Sequence, residues 1–395
     1  MGCQEETERD MHQASWMNSD LETYRDSVRR FCERELLPNE RRWNAQGQVD
    51  REAWLKAGEA GLLCPGISGD YGGGGGNFLH EVVAFSEQVR LLCSGLGNAV
   101  HSGIVAHYIE NFGTKQQKKR WLPKMATGEL VAAIAMTEPG AGSDLQSIRT
   151  SAVRDGNHYI INGAKTYISN GQLADLVCVV AKTDPAAGAK GISIVVVEVA
   201  SSPGFQRGRA LEKIGLHSQD TSELFFHDMR VPCDNLLGHE EGQGFRQLMK
   251  ELPRERIIAA YCALGAMERA IEETLRFVSA RKVFGAPLIE MQNTRFKLAE
   301  CDTKAKMAAV FLDHCASQQM VGKLDNATAA MAKFWVTDAC GQVVDECLQL
   351  HGGAGYMVEY PVARLYQNSR INRILAGSNE IMKELIARDL VKREL

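Results

Sequence analysis

The segment Ala135-Met136-Thr137-Glu138-Pro139-Gly140-Ala141-Gly142-Ser143-Asp144 has the ingredients of a ligand-holding loop. Gly140 and Gly142 let backbone approach a ligand closely. Thr137 and Ser143 supply hydroxyls, and exposed backbone N–H groups can donate to an anionic or carbonyl oxygen. An ordinary Pro-Gly turn accounts for the same residues equally well. The run Gly72 to Gly76 is a poor phosphate loop. Asn77 stands where a dinucleotide fingerprint needs its last glycine, and no Gly-Lys-Ser/Thr follows, so the run reads as a surface turn. Further along, Glu251-Leu252-Pro253-Arg254-Glu255-Arg256 sets two carboxylates one turn apart on one helical face. On residue type alone these form an exposed Glu–Arg cluster. Eleven cysteines contain no Cys-x-x-Cys pair. An odd count scattered through apolar runs reads as buried free thiols in a reducing compartment, neither a disulfide framework nor a zinc site.

Three stretches of different texture must position these residues. Residues 1–130 read as an N-terminal α-helical domain, with segments near 20–36, 51–62, 78–93, 97–112 and 114–127. In the first, Asp20 is the candidate cap, Leu21, Tyr24, Val28, Phe31 and Leu36 share a face, and Pro38 is the stop. Residues 131–242 change period. Tyr159 to Ile161, Leu176 to Val180 and Ile192 to Val197 read as strands, punctuated by Asp155-Gly156, Asn162-Gly163 and Asn170-Gly171 turns. Without βαβ alternation, an antiparallel β-barrel or sandwich is expected. Residues 243–395 return to long helices, Ile257 to Val278, Gln292 to Val321, Ala327 to Leu350 and a C-terminal one, which predicts a four-helix bundle. The fold class is thus α+β and multidomain.

Apolar residues make up 45% of the 395, charged residues 24%, and the net charge is −4. That balance is ordinary for a globular protein and argues against a nucleic-acid partner, which needs surface cations. No apolar run reaches the ~20 residues that span a bilayer. Met1-Gly2-Cys3-Gln4-Glu5-Glu6 is acidic, lacks a signal-sequence pattern, and has Glu6 where myristoylation needs Ser or Thr. A soluble, cytoplasmic protein is expected, with no metal.

The decapeptide at 135–144 resembles the first signature of the acyl-CoA dehydrogenase family. Gln349-Leu350-His351-Gly352-Gly353-Ala354-Gly355-Tyr356, followed by Glu359, Arg364 and Asn368, resembles the second. The likeness runs from about residue 20 to 390, and the helix–β–helix order is that family's. It implies FAD held between the β domain and the bundle, and a homo-oligomer, commonly a tetramer, whose neighbouring subunit completes the flavin site. Met136, Thr137, Gly142 and Ser143 fall on the first signature's cofactor contacts. Tyr167 and Ser169 resemble the stretch beside the flavin ring, where an aromatic residue covers one face; alone, Tyr167 reads as a strand-core tyrosine. Arg281, Phe284, Leu288 and Gln292 resemble the segment that reaches a partner subunit's FAD, Arg281 through its planar fork; alone, Arg281 is a helix-end charge. Gln349, Gly352 and Gly353 resemble further FAD contacts, and the double glycine also reads as a helix cap. His351 reads as structural. Ser378 and Glu380 resemble the flavin-contacting end of a loop.

The family's reaction removes an α-proton from an acyl thioester, so a carboxylate must reach that proton and the carbonyl must be polarised. Most members carry this base as Glu in a Glu-Gly-Thr stretch near the C-terminus. Here the stretch reads Leu375-Ala376-Gly377-Ser378-Asn379-Glu380, with Ala376 at the base position. Glu251 to Arg256 resembles the long-chain type, in which a helix opening the C-terminal domain supplies the base. By that resemblance Glu255 is the catalytic base and Glu251 its rival. Ser143, Arg256, Ala376 and Gly377 are the expected substrate contacts. His101-Ser102-Gly103-Ile104-Val105 and Ile381 to Arg388 extend the likeness, and small residues from Ser94 to Gly103 suit a deep acyl slot. The expected activity is dehydrogenation of a medium- to long-chain acyl-CoA, with electrons passed to electron-transfer flavoprotein. A branched-chain (isovaleryl- or citronellyl-type) dehydrogenase, a flavin oxidase and a non-enzymatic FAD- or CoA-binding scaffold are the alternatives.

Overall fold

The computed structural model describes residues 14–93 and 95–394. The Met1–Glu6 segment, with Cys3, and Ser94 lie outside the described residues. The chain opens with α1 (Ser19–Phe31), α2 (Glu40–Gln46), α3 (Arg51–Glu59), α4 (Phe78–Arg90), α5 (Asn98–Val100), α6 (Ala106–Phe112) and α7 (Lys115–Ala126). Asn18, not Asp20, caps α1: its side chain accepts from Leu21 N at 3.0 Å. Asp20 sits in the first turn, where a negative charge favours the helix dipole. Pro38 does not end the helical path. It enters the 3₁₀ turn Leu37–Asn39 near its start, where a missing N–H breaks nothing, and α2 follows. The Gly72–Gly76 run is a partly exposed turn, closed by bonds from Gly74 N to Cys64 O and from Gly76 N to Pro65 O.

A π-helical turn, His101–Val105, joins α5 to α6. Its His101 is fully buried and neutral, since burial pushes its pKa down to about 4. Nδ1 accepts from Ala132 N at 3.0 Å, and Nε2 donates to Met125 O at 3.0 Å. One imidazole thereby fixes the helical region to the first strand.

The middle region is a curled sheet of β1 (Ala132–Ala135), β2 (Ser151–Asp155), β3 (His158–Ser169), β4 (Leu176–Lys182), β5 (Ile192–Glu198), β6 (Phe205–Ala210) and β7 (Thr221–Pro232). The pairs β2–β3, β3–β7, β4–β5 and β6–β7 are antiparallel. The barrel expectation needs one refinement: β1 runs parallel to β4, and β5 and β6 remain edges, so the sheet is mixed and open. The long chain between β1 and β4 permits that crossover. Asn162-Gly163 is not a turn. It lies inside β3 at a register shift opposite β7, with Gly163 at φ 153° where a Cβ would meet Thr150 Oγ1 at 2.4 Å. Asp155-Gly156 and Asn170-Gly171 do end strands.

The C-terminal region holds α8 (Gly244–Ala280), the hairpin β8 (Lys282–Val283) and β9 (Ala286–Pro287), α9 (Gln292–Met320), α10 (Asn326–Leu350), α11 (Pro361–Ser369) and α12 (Asn379–Glu394). Helix α8 packs on α9 and α10, and α10 packs on α12, giving the four-helix arrangement. The α8 helix also packs on α4 and α6, so one apolar core runs from Leu21, Trp54 and Phe85 to Met267, Leu312 and Val336. No described helix is long and apolar enough to cross a membrane. The ten described cysteines are free thiols.

Candidate active site

Every residue of α8 from Glu251 to Tyr261 is buried, so this stretch carries no solvent-facing stripe. The Glu–Arg cluster is therefore not a solvated face. Tyr108 and Asn111, one turn apart on α6, meet the two α8 carboxylates in antiparallel order. Tyr108 OH donates to Glu255 Oε1 at 2.9 Å, and Asn111 Nδ2 donates to Glu251 Oε1 at 2.9 Å. Burial pushes the Glu255 carboxyl up to about 7, opposed by the Tyr108 hydrogen bond and by Arg254 and Arg256. Glu251 is also raised, chiefly by burial. A raised carboxyl does not by itself mark a base: burial lifts Glu268, farther along α8, to about 7 as well. Glu268, however, lies 3.7 Å from Arg90 in an ion-pair cluster with Glu272. Among the described residues Glu255 accepts from the neutral Tyr108 phenol, which leaves lone pairs for a proton.

Arg254 adjoins Glu255 on α8 and favours its ionised form. It pairs with Glu81 of α4, bonds to Gly103 O, and its Nη2 donates to His107 Nε2 at 2.8 Å. This buried network joins α4, the π turn and α6 to α8. Arg256 faces α10, with Nη1 3.4 Å from Asn326 Oδ1 and Nε without a hydrogen-bond partner.

The turn at Ala376-Gly377 has both residues in the left-handed region, at φ 53° and 90°. For alanine this is unfavourable by roughly 1 kcal/mol, so something must hold it. Lys333 of α10, wholly buried, donates from Nζ to Gly377 O at 2.8 Å and to Asn379 Oδ1 at 2.9 Å. Asn379 in turn donates to Asp338 Oδ1 at 2.9 Å. Burial and nearby Arg256 lower the Lys333 pKa to about 8. The Glu255–Arg256 level of α8 and the Ala376 turn therefore share one electrostatic neighbourhood.

The 135–144 loop is pinned to β3. Lys165 Nζ donates to Met136 O and to Glu138 Oε1, each at 2.9 Å, and Thr166 N donates to Thr137 O at 2.9 Å. Tyr167 follows at a second register shift in β3, with φ 61° and 69% of its surface exposed, while Ile168 takes the core position. The strand-core reading of Tyr167 is thus replaced by a bare aromatic face beside the loop. Ser169 is half-buried; Gly142 and Ser143 are exposed at the loop tip.

Other positions are equally bare. Phe284 and Gly285 form the tip of the β8–β9 hairpin at φ 50° and 85°, and Phe284 is 100% exposed. Arg281, Gln292, Gln349, Gly352, Gly353 and Glu380 are exposed; Leu288 and Ser378 are half-buried. Arg281 follows Glu255 by 26 helical positions, about 39 Å along α8. A single chain therefore does not bring the Arg281 group to Glu255. His351 is structural: it stacks on Phe277 with centroids 4.3 Å apart, and Nδ1 donates to Cys347 O at 2.8 Å.

Sequence reasoning missed Tyr108, Asn111, Lys165 and Lys333. Lys333 had a signal, a lone cation within Ala329-Ala330-Met331-Ala332-Lys333-Phe334-Trp335-Val336. Tyr108 and Asn111 became visible only once α6 lay against α8.

Family models match three successive stretches: "Acyl-CoA dehydrogenase, N-terminal domain" at 18–129, "middle domain" at 133–229 and "C-terminal domain" at 242–391. The chain belongs to the acyl-CoA dehydrogenase family. It is similar to the mouse mitochondrial long-chain specific acyl-CoA dehydrogenase, at 47% identity over 95% of this chain and 87% of that one. Its structure is similar to an acyl-CoA dehydrogenase from Geobacillus kaustophilus, with TM-score 0.93 and 46% identity over 96% and 100% of the chains. It is also similar to a glutaryl-CoA dehydrogenase from Mycobacterium smegmatis in complex with FADH2, with TM-score 0.88 and 28% identity over 95% of each chain.

This acyl-CoA dehydrogenase is an oxidoreductase whose cofactor is FAD. Its surface suits such a group. A Cβ added at Gly140, Gly142 or Gly353 would meet nothing within 4 Å, so neither packing nor a left-handed backbone demands glycine there, whereas Gly352, at φ 58°, suits glycine by its own backbone. Tyr167 and Phe284 expose most or all of their aromatic surface among the described residues. Glycines with open space and uncovered rings suit a large planar ligand and a second subunit.

Proposed function

We propose that this protein converts medium- to long-chain acyl-CoA to trans-2-enoyl-CoA, with Glu255 as the base and electron-transfer flavoprotein as the electron acceptor. One observation carries the reading. The family's usual base position holds Ala376, while Glu255 is buried on α8, raised toward neutrality and bonded to a phenol. FAD, when bound, supplies the acceptor for the β-hydride. The rest falls to the chain. Glu255 takes the α-proton onto its carboxylate. The strained Ala376-Gly377 turn, held by Lys333, presents backbone N–H to the thioester oxygen and stabilises enolate charge. Arg256 and Ser143 contact the substrate. Met136, Thr137, Gly142, Ser143, Tyr167, Ser169, Ser378 and Glu380 hold FAD from one subunit. Arg281, Phe284, Leu288, Gln292, Gln349, Gly352 and Gly353 hold it from a neighbour within a tetramer.

The likeness to a protein named long-chain specific supports the substrate class. The test is a panel of straight acyl-CoA esters from butyryl to palmitoyl, with isovaleryl- and citronellyl-CoA, assayed with an artificial acceptor. The highest kcat/KM falls between octanoyl and palmitoyl on this reading. A maximum on a branched ester replaces it with a branched-chain dehydrogenase. Rapid peroxide formation in air identifies an oxidase, and no flavin bleaching with any ester identifies a scaffold.

A further inference from the structure

The Tyr108–Glu255 contact is unusual in its setting. Tyr108 is fully buried, and Glu255 is 5% exposed. The phenol donates to Oε1 at 2.9 Å. Tyr108 belongs to the buried apolar cluster that includes Cys64, Val105, Ile109 and Cys178, and its ring lies 6.1 Å from the Phe112 ring. A donor so fixed offers one geometry to the carboxylate.

The reaction sets a conflict for Glu255. To abstract a proton it must be ionised, yet an acyl chain entering beside it expels water, which disfavours the anion. The charged groups around Glu255 only partly resolve this. On α8, Glu251 opposes the ionised form, while Arg254 and Arg256 favour it. Arg254 is already committed to Glu81 of α4, and Arg256 faces Asn326 and Lys333 of α10. On α6, Asn111 donates to Glu251, and His107 Nε2 accepts from Arg254. The donor bonded to Glu255 itself is Tyr108, and a neutral phenol favours the anion without adding a formal charge that would hold the base too tightly.

We propose that Tyr108 is a positioning residue that keeps the Glu255 carboxylate in one orientation and in its ionised form while substrate empties the site of water. This deepens the assignment of Glu255 as base and rests on it. Tyr108 touches neither the transferred proton nor the hydride. It fixes Oε1, leaving Oε2 for the α-proton, and after abstraction its hydroxyl bonds to a neutral acid.

The test is the pH profile of kcat/KM for palmitoyl-CoA in Tyr108→Phe holoenzyme, with Glu255→Gln beside it and FAD content measured for each. Phenylalanine fills the same volume without the donor. The acid limb should move up by about one pH unit. Activity should fall about tenfold at pH 6 and stay within about threefold of wild type at pH 9, with FAD content unchanged. Site-specific replacement of Tyr108 by difluorotyrosine, a stronger donor of the same shape, should move the limb the opposite way. This second variant decides the matter if Tyr108→Phe fails to fold. An unmoved limb, whether activity is kept or lost equally at every pH, overturns the proposal while an inactive Glu255→Gln leaves the base assignment standing. A fully active Glu255→Gln overturns both.

Discussion

The middle of α8 and its C-terminal end are parts of one helix with opposite environments. At Glu251–Tyr261 the fold surrounds the helix and answers each carboxylate with a donor: Tyr108 for Glu255, Asn111 for Glu251. At Arg281 and the hairpin after it, the fold leaves a cation and a fully exposed phenylalanine bare, the latter in a left-handed backbone conformation. On the proposed assignment the proton-handling site lies within one chain, and the exposed surface around Arg281 and Phe284 is the part a second subunit would complete. The proposed contact with a neighbouring subunit's FAD would account for strain and exposure occurring together at Phe284.

The comparison is broken most severely by exchanging groups between the two ends. Glu255→Gln should lower turnover by about 10³-fold, within the range for removing a general base, while the protein stays yellow. Glu251→Gln should lose less than about tenfold; the reverse ranking would move the base one turn along α8. Arg281→Ala should weaken FAD binding by about ten- to a hundredfold, the loss of charge-assisted bonds, without altering the pH profile of the reloaded enzyme. Equilibrium dialysis of FAD checks the first part. If the two ends belong to different subunits' sites, then at FAD concentrations too low to load the Arg281→Ala homo-oligomer, co-assembled Glu255→Gln and Arg281→Ala subunits should recover activity that neither homo-oligomer shows.

Lys333→Met sharpens the account at the Ala376 turn. It removes both bonds that hold Gly377 and Asn379, and kcat should fall about tenfold with the flavin spectrum unchanged. The smallest effect is on stability. Glu255 has a folded pKa of about 7, above its ordinary value of 4.5. Between those values the folded state holds the extra proton, so its penalty is absent below pH 4.5 and grows as pH rises through about 7. Glu255→Gln should therefore gain stability over wild type at pH 8, by up to about 3 kcal/mol, and show little difference at pH 5. Thermal melts at the two values check the sign.

The sequence made the helix–sheet–helix order legible, because period and turn chemistry change at the region boundaries. It misread particulars wherever tertiary contact overrode local pattern. Asn162-Gly163 has turn chemistry but lies in a bulge because β7 pairs across it. The parallel β1–β4 pair leaves no local mark. Glu255 was legible only against a family pattern, since residue type alone made it a surface charge. Its partner Tyr108 lies 147 positions away, and Lys165, which pins the 135–144 loop, sits in a strand whose sequence gives no hint of its ion pair.

The most direct test is anaerobic single-turnover bleaching of the flavin by palmitoyl-CoA and by its α,α-dideuterated form, from pH 5 to 9. The account predicts bleaching that deuterium slows and that weakens below about pH 7 in the wild type, and none in FAD-loaded Glu255→Gln. Bleaching of Glu255→Gln at the wild-type rate would contradict it.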